Sequence, residues 1–206
     1  MTQHLTAPIL AAWIREFGQL VSNHKDRLNA LDAAIGDADH GTNLDRGFRV
    51  VVAGLDATRS SPGDLLGHVG GTVISNVGGA AGPLFGAFFL GLGEALGDET
   101  TVDADRFATG LRAGLAGVVA RGRADSGDKT MYDALAPAVE AFAGTGDLRG
   151  TLQVAVRAAE SGRDATIGML ARKGRASYLG ERSVGHQDPG ATSAALLFTA
   201  AAHALT

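Results

Sequence analysis

Apolar residues recur at every third or fourth position through most of this 206-residue chain. Such spacing places the apolar side chains on one face of an α-helix. No convincing run of alternating β-branched residues, the pattern typical of a strand, interrupts it. The sequence therefore predicts an all-α protein, and its length suits one domain over residues 1–206 built on a single core.

The periodic stretches divide into about eight helices. The predicted helices cover residues 8–30, Thr42–Leu55, a third from Asp64 through Val73, a fourth opening at Pro83, Asp103–Gly122, Met131–Ala143, Asp147–Leu170, and a last one that begins at Pro189 or Gly190. Thr42 is predicted to cap the second helix, and residues 128–130 the sixth. The uncharged run 74–93 is about long enough to span a bilayer, but its glycines and Pro83 favour a buried core helix. The loops are expected to gather at one end.

One eighteen-residue stretch, LDAAIGDADHGTNLDRGF, concentrates the acidic residues. Asp32, Asp37 and Asp39 are spaced by five and then two positions, and a helix would not place the last two on one face. A tight turn through Gly36 and Gly41 would let the three carboxylates converge. Converging carboxylates repel unless a cation neutralises them, and hard oxygen ligands select Mg²⁺ or Ca²⁺. Any one aspartate is more typical of a turn or a cap, but the three together predict a metal site.

A glycine-rich stretch precedes the fourth helix. Gly78, Gly79 and Gly82 lie just before Pro83, which suits the first turn of a helix. A glycine-rich loop that opens a helix can hold a phosphate with backbone N–H groups. The same glycines also suit close packing of two helices, and the sequence alone favours neither interpretation.

The second polar stretch, ARKGRASYLGERSVGHQDPG, covers residues 171–190. Its cationic side chains are Arg172, Lys173, Arg175 and Arg182. A cationic loop matches an anionic ligand, since Arg can hold a phosphate by paired hydrogen bonds. The alternative is a solvated surface loop.

Charge and composition exclude several classes of function. The net charge of −4 argues against a nucleic-acid partner. The absence of cysteine excludes disulfides and thiolate metal sites, which fits a cytoplasmic protein. The first residues, MTQHLTAPIL, lack a basic region before an apolar run, so neither a signal peptide nor a membrane partner is expected.

The segment after the fifth helix does not form a P-loop motif. Gly122 and Gly127 have the glycine spacing of a P-loop, but Asp128 separates Gly127 from Lys129, and the motif is not met.

Four segments, in the same order, resemble the L subunit of dihydroxyacetone kinase: GDADHGTN, GGAAGPLFGAFF, GDKTM and ARKGRASYLGERSVGHQDPGATS. The resemblance spans most of the chain and implies an antiparallel eight-helix barrel that binds ADP or ATP with two Mg²⁺ ions at one end. It implies metal ligation by Asp32, Asp37 and Asp39, and nucleotide contacts by His40, Gly41, Thr42, Asn43, Ala80, Ala81, Gly122, Met131, Arg175, Asp188, Pro189 and Gly190. The family often has serine at the position of Ala81, so one hydroxyl contact is expected to be missing.

The resemblance also implies a kinase subunit that needs partners. In the family a separate K subunit holds the ketose covalently on a histidine, so no catalytic residue is expected on this chain. Stand-alone L subunits resemble the phosphoenolpyruvate-linked type, in which bound ADP is rephosphorylated by an M subunit. Self-association into a homodimer is a further expectation. Two alternatives stay open: an L subunit that exchanges ATP freely and serves a related ketose such as a tetrulose, and a carboxylate–metal hydrolase that acts without partners.

Overall fold

The computed structural model describes residues 4–55, 59–144 and 147–206. Its helices are α1 (Ala7–Ile35), α2 (His40–Ala53), α3 (Pro62–Asn76), α4 (Ala81–Leu96), α5 (Ala104–Gly122), α6 (Tyr132–Ala141), α7 (Leu148–Ala165) and α8 (Pro189–Ala204). Two 3₁₀ segments, Thr166–Gly168 and Arg175–Ser183, lie between α7 and α8. Each α-helix packs against the next one in the chain, and α8 packs back against α1. The described helices thus form a closed ring, which confirms the predicted all-α fold.

Aromatic side chains fill the middle of the ring. Trp13 of α1 is 1% exposed and meets Phe89 of α4 and Phe107 of α5 edge-on, with ring centroids 6.1 and 5.8 Å apart. Its indole N–H donates to the Leu197 carbonyl of α8 at 2.9 Å, so its polar atom is satisfied. Burying one such side chain contributes about 1.5–3 kcal/mol. Trp13 therefore joins α1 to α4, α5 and α8.

The helices α3 and α4 approach so closely that backbone takes the place of side chains. A Cβ atom on Gly70 would lie 2.9 Å from both the Gly86 carbonyl oxygen and the Leu90 nitrogen. A Cβ on Gly93 would lie 2.8 Å from the Gly63 carbonyl oxygen. Only glycine fits at these positions, because a Cβ atom would clash with backbone atoms of the facing helix, and those atoms cannot shift without disturbing the packing.

The connection between α1 and α2 differs from the prediction. The first helix was predicted over residues 8–30, but α1 continues to Ile35 because the alanines after Asp32 favour helix. The second helix begins at His40, so Thr42 is not its N-cap. The Thr42 hydroxyl instead accepts a hydrogen bond from Asn29 of α1 at 2.9 Å.

Smaller boundary errors occur elsewhere in the chain. The structure has Pro62 rather than Asp64 as the start of α3, Ala81 rather than Pro83 as the start of α4, Tyr132–Ala141 rather than Met131–Ala143 for α6, and Ala165 rather than Leu170 as the end of α7. At α3 the hydroxyl of Ser61 caps the helix by accepting from the Asp64 nitrogen at 3.1 Å. A prolyl ring placed within the first turn then needs no N–H partner.

The uncharged run 74–93 does not form one helix. It covers the end of α3, a loop and most of α4, and Phe85, Phe88 and Phe89 within it are fully buried in the core. Across the described ranges, no helix combines the length and apolar character that a membrane span needs.

Two short strands were not predicted. Leu5–Thr6 (β1) and Thr101–Val102 (β2) pair antiparallel, with Leu5 opposite Val102. Two residues are too few to produce an alternating pattern in the sequence. The pairing joins the segment before α1 to the connection between α4 and α5.

The ring brings the loops that follow α1, α3, α5 and α7 together, as predicted. The loop after α3 lies against α2, since a Cβ on Gly78 would be 2.7 Å from Asn43 Oδ1. The Lys129 side chain in the loop after α5 reaches the Thr166 carbonyl at the end of α7. Arg175, between α7 and α8, reaches Asp37 in the loop after α1. Successive antiparallel helices produce this gathering, because every second helix ends on the same side.

The contact between α3 and α4 makes a direct stability prediction. Gly70→Ala should destabilise the fold by about 1–3 kcal/mol, the usual cost of overpacking, because the new methyl group would meet two backbone atoms of α4. The neighbouring Gly71 provides the matched control, since a Cβ there has nothing within 4 Å. Gly71→Ala should be neutral or stabilising by up to about 1 kcal/mol through helix propensity. Urea unfolding of both variants measures the difference, and equal effects would contradict the close approach.

Candidate functional site

Three aspartates converge at the end of α1. Asp32 lies in the last turn of α1, while Asp37 and Asp39 lie in the loop before α2. One carboxylate oxygen from each lies within 4.8 Å of the others. Asp32 Oδ2 accepts hydrogen bonds from the backbone nitrogens of Asp39 at 2.9 Å and His40 at 3.1 Å. These bonds pull the loop back over the helix end and bring the carboxylates together.

The residue that makes the turn is not the one predicted. Ala38 has a φ of 65°, the left-handed conformation, between the two loop aspartates. Gly41 lies inside α2, where a Cβ would collide with the Lys25 carbonyl of α1, so it serves helix packing. Gly36 leaves room for the Asp32 carboxylate, which a Cβ there would meet. A strained alanine in place of a glycine could not be deduced from spacing.

The carboxylates suit a hard divalent cation. Mg²⁺ and Ca²⁺ both take oxygen ligands, at about 2.0–2.1 Å and 2.3–2.6 Å. One oxygen from each of the three aspartates lies within 4.8 Å of the others, so the three carboxylates are close enough to serve such cations together. Asp32 is 8% exposed, whereas Asp37 and Asp39 are exposed. The cluster is therefore buried at Asp32 and open to solvent at Asp37 and Asp39. A site that also receives a ligand needs such an open side.

His40 connects the start of α2 to the start of α8. Its Nε2 atom lies 3.0 Å from the Ser193 hydroxyl, which in turn donates to the Gly190 carbonyl at 3.0 Å. Burial lowers the pKa of His40, although the charges of Asp32 and Asp39 oppose this. Burial thus favours the neutral form of the His40 imidazole beside the aspartates. The contact with Ser193 of α8 holds the ring in place.

The glycine-rich loop lies against α2 near the aspartates. The Asn43 side chain is buried against Gly78, and its Oδ1 accepts from Arg46 at 3.0 Å. Ala80 and Ala81 open α4 directly after this loop. Backbone N–H groups at a helix start attract anions. The structure therefore places the glycine-rich loop beside Asn43, which lies one helix turn after Asp39.

Thr42 and Gly122 lie at the edges of this region. The Thr42 nitrogen donates to Asn29 Oδ1 at 3.0 Å, and Asn29 Nδ2 returns a bond to the Thr42 hydroxyl. This reciprocal pair anchors the first turn of α2 to α1. Gly122 ends α5, and a Cβ there would lie 2.9 Å from Leu84 in the first turn of α4.

The start of α8 lies against the loop after α5. Asp188 caps this helix by accepting from the Ala191 nitrogen at 2.6 Å. Burial raises the pKa of Asp188 to about 7, and the nearby charge of Asp133 adds to the effect. Pro189 and Gly190 follow, and a Cβ on Gly190 would lie 3.4 Å from the nitrogen of Met131, which is buried. The predicted positions in the loop after α5 and at α8 are thus neighbours.

The cationic loop reaches the aspartates through one residue. Arg175 Nη2 lies 2.8 Å from Asp37 Oδ2. The guanidinium side chain is 64% exposed, so this ion pair is screened by solvent and contributes little stability. It shows instead where the loop lies, which is over the open side of the carboxylate cluster.

Several residues of this end were missed by sequence reasoning. They are Asn29, Arg46, Lys129 and Ser193. The sequence around each of them is that of an ordinary helix or loop. Their roles become visible only from contacts between segments that are distant in the chain. Of the predicted cap at residues 128–130, Thr130 is confirmed, since its hydroxyl accepts from the Tyr132 nitrogen at the start of α6 at 3.1 Å. Asp133 was not predicted, and it accepts from the nitrogens of Gly127 at 2.6 Å and Thr130 at 2.8 Å.

Comparison with known proteins assigns the family. The sequence matches the family described as the DAK2 domain over residues 34–203. It is 46% identical over 186 residues to the ADP-binding subunit DhaL of the PEP-dependent dihydroxyacetone kinase of Escherichia coli (strain K12), covering 88% of this chain and 89% of that protein. It is 33% identical over 202 residues to the L-erythrulose 1-kinase of Mycolicibacterium smegmatis, covering 96% of this chain but 35% of that protein.

Solved structures show the same fold. The dihydroxyacetone kinase of C. freundii in its native form superposes with a TM-score of 0.75 at 28% identity, over 98% of this chain and 35% of that chain. The same enzyme in complex with AMP-PNP and Mg²⁺ gives a TM-score of 0.71 at 27% identity, with the same coverage. This chain thus spans about a third of the kinase chain that it matches in structure. On its sequence match over nearly its whole length, the chain belongs to the DAK2-domain family, among the DhaL subunits of dihydroxyacetone kinase.

Proposed function

We propose that this chain is the nucleotide-carrying subunit of a phosphoenolpyruvate-dependent dihydroxyacetone kinase. The observation that carries the proposal is the convergence of three carboxylates beneath an arginine-bearing loop and beside a glycine-rich helix start. Oxygen ligands for a cation lie next to donors for an anion, which is the combination that a metal–nucleotide complex requires. The match to DhaL subunits along 89% of the E. coli protein supports the same assignment.

Asp32, Asp37 and Asp39 would hold two Mg²⁺ ions. Mg²⁺ bound there would neutralise phosphate oxygens and align the terminal phosphoryl group for transfer. The buried Asp32 is fixed by two backbone N–H groups, so its free oxygen has a set direction. The exposed Asp37 and Asp39 can adjust to a ligand that enters from solvent.

The remaining residues would bind the nucleotide. The N–H groups at Ala80 and Ala81, with the positive end of the α4 dipole, suit phosphate oxygens. Asn43 contacts this loop from α2, and Arg175 brings a positive charge to Asp37 in the aspartate cluster. Met131 and the Asp188–Gly190 segment form a buried wall suited to the less polar part of the nucleotide.

The acceptor would be supplied by partner subunits. A K subunit would hold dihydroxyacetone facing the open side of the carboxylate cluster, and an M subunit would return a phosphoryl group to bound ADP. Positioning of the acceptor hydroxyl is a large part of phosphoryl-transfer catalysis. Homodimer formation stays a separate prediction, to be tested by light scattering.

One alternative has a specific observation in its favour. The similarity to the L-erythrulose 1-kinase of M. smegmatis over 96% of this chain fits an L subunit that exchanges ATP freely and serves a tetrulose. Retention of nucleotide through gel filtration distinguishes the two cases, because a carrier keeps ADP bound and an exchanging subunit loses it. A partner-independent hydrolase would instead turn over a phosphate ester or glycoside without any other chain.

The metal assignment predicts a ligand-dependent stability. Mg²⁺ with ADP should raise the melting temperature and EDTA should reverse much of the gain, because a ligand that binds only the native state stabilises it. Asp37→Asn should remove most of the gain. Asp26→Asn is the matched control, since that side chain is 95% exposed on α1, outside the cluster. If Asp37→Asn binds Mg-ADP as tightly as the parent does, the ligand assignment is wrong.

The loop assignment predicts a loss of affinity. Arg175→Ala should weaken ADP binding by about 1.5–3 kcal/mol, the scale of a hydrogen bond to a charged group. Arg182→Ala, an exposed cation in the same loop, should change the Kd much less. Isothermal titration with Mg²⁺ present measures both, and equal dissociation constants for Arg175→Ala and the parent would make this loop an ordinary surface loop.

The subunit assignment predicts that the chain alone is inactive on dihydroxyacetone. With Mg²⁺, ATP and the ketose, a coupled assay should show only background turnover, since nothing would hold the acceptor hydroxyl in line. Adding a K subunit should start the reaction, with an M subunit and its phosphoryl chain replacing ATP if phosphoenolpyruvate is the donor. Robust phosphorylation by the purified chain alone would point to a self-sufficient kinase.

A further inference from the structure

Lys129 is a lysine buried without a carboxylate in hydrogen-bonding contact. Its side chain is 1% exposed, and its φ of 63° is left-handed. The ammonium group donates to three backbone carbonyls: Thr166 at 2.7 Å, Met169 at 3.2 Å and His186 at 2.6 Å. A lysine ammonium has three N–H donors, so all of them are used on main-chain oxygens. Burial of this cation costs desolvation and lowers the pKa of Lys129, and the three hydrogen bonds and the nearby charge of Asp188 offset part of that cost.

The three acceptors mark the neck of one loop. Met169 and His186 lie at its two ends, and Thr166 lies just before it, at the end of α7. The Gly185 nitrogen also donates to the Ile167 carbonyl at 2.7 Å, which brings the same two ends together. Residues 169–186, which include Arg175, therefore form a closed loop, and the Lys129 ammonium lies at its base.

The loop has few other anchors. The Arg175–Asp37 ion pair is exposed and contributes little. The apolar contact with the end of α1 consists of Ile35, Ala171 and Ala176, with Leu179 beside them. Two alanines offer little apolar area, so this contact is small. The neck is thus the part of the loop with the most buried polar contacts.

Lys129 is itself held firmly in place. On either side of it, the Gly127 and Thr130 nitrogens donate to the Asp133 carboxylate. The carbonyl of the preceding residue, Asp128, accepts from the Arg172 nitrogen of the cationic loop at 3.1 Å. A rigid turn therefore presents the ammonium to the loop, and Met131 of the same turn faces Gly190 at the start of α8.

We propose that Lys129 is a positioning residue that holds the loop 169–186 over the aspartates and so sets the affinity for ADP through Arg175. The inference rests on the proposed function, since it concerns the nucleotide that this end binds. All three N–H donors of Lys129 are used on backbone carbonyls of the neck, so its proposed role is in positioning the loop and not in binding phosphate. Lys129 acts on ADP affinity through the loop neck, which sets the position of the Arg175 guanidinium at Asp37.

A double-mutant cycle tests the route through Arg175. Lys129→Met should weaken ADP binding at least about tenfold in the parent, the loss expected when a charged hydrogen bond disappears. In the Arg175→Ala background the same change should weaken binding less than about threefold, because residues that act through one contact are not additive. Lys129→Gln, which keeps an N–H₂ donor for the neck, should fall between and serves if the methionine variant does not fold.

A second measurement needs no nucleotide. Arg172, Lys173, Arg175 and Arg182 are exposed trypsin sites inside the loop. Without the ammonium the neck should open locally, so trypsin should cleave at these sites faster in Lys129→Met than in the parent. The control is Leu152→Ala, a fully buried side chain in the first half of α7, which should lower the melting temperature without selective cleavage in the loop.

The outcomes separate the two proposals. Selective loop cleavage together with a non-additive loss of ADP affinity supports the role of Lys129. Equal factors in both backgrounds, or a lower melting temperature with unchanged loop cleavage and unchanged Kd, would overturn it. Absence of ADP binding in the parent would overturn the proposed function instead, and the trypsin measurement would still report on the neck.

Discussion

The closing contact between α8 and α1 is the constraint on which the rest of the structure depends. Trp13 donates to the Leu197 carbonyl across this contact and joins α1 to the aromatic core. Once the ring is closed, alternate loops must emerge at the same end. The aspartates after α1, the glycine-rich loop after α3 and the loops after α5 and α7 therefore become neighbours. The site is a consequence of the ring, since no single segment contains it.

Charge organisation at this end combines exposed and buried groups. The outer layer contains the exposed Asp39 and the ion pair of Asp37 with Arg175, where solvent screens the interaction and a ligand can replace it. The inner layer contains Lys129, Asp133 and Asp188, whose partners are mostly backbone groups. Buried polar groups that are fully hydrogen-bonded make a region rigid. A rigid base beneath an adaptable surface suits a site that holds a nucleotide during phosphoryl exchange.

Close packing and site geometry are linked through glycine. Gly41 lets the first turn of α2 lie directly on α1, and Gly78 lets the loop after α3 lie on Asn43. Neither glycine has a positive φ, so each is needed for space rather than for its conformation. Replacing either would push apart the segments that bring the carboxylates and the helix start of α4 together. Glycine in this chain therefore serves the site by allowing backbone to approach backbone.

The sequence by itself determined the helical fold, the order of the helices and the residues from which a site could be built, because apolar periodicity and local composition are properties of neighbouring residues. The convergence of Asp32, Asp37 and Asp39 was predicted from their crowding, but the turn that achieves it uses Ala38 rather than a glycine. Only the tertiary structure decided the partners of Lys129, since Thr166 and His186 lie 37 and 57 positions away in the chain. It likewise decided the pairing of His40 with Ser193, 153 positions apart. Contacts over such separations leave no periodic pattern, because they depend on how the whole ring closes.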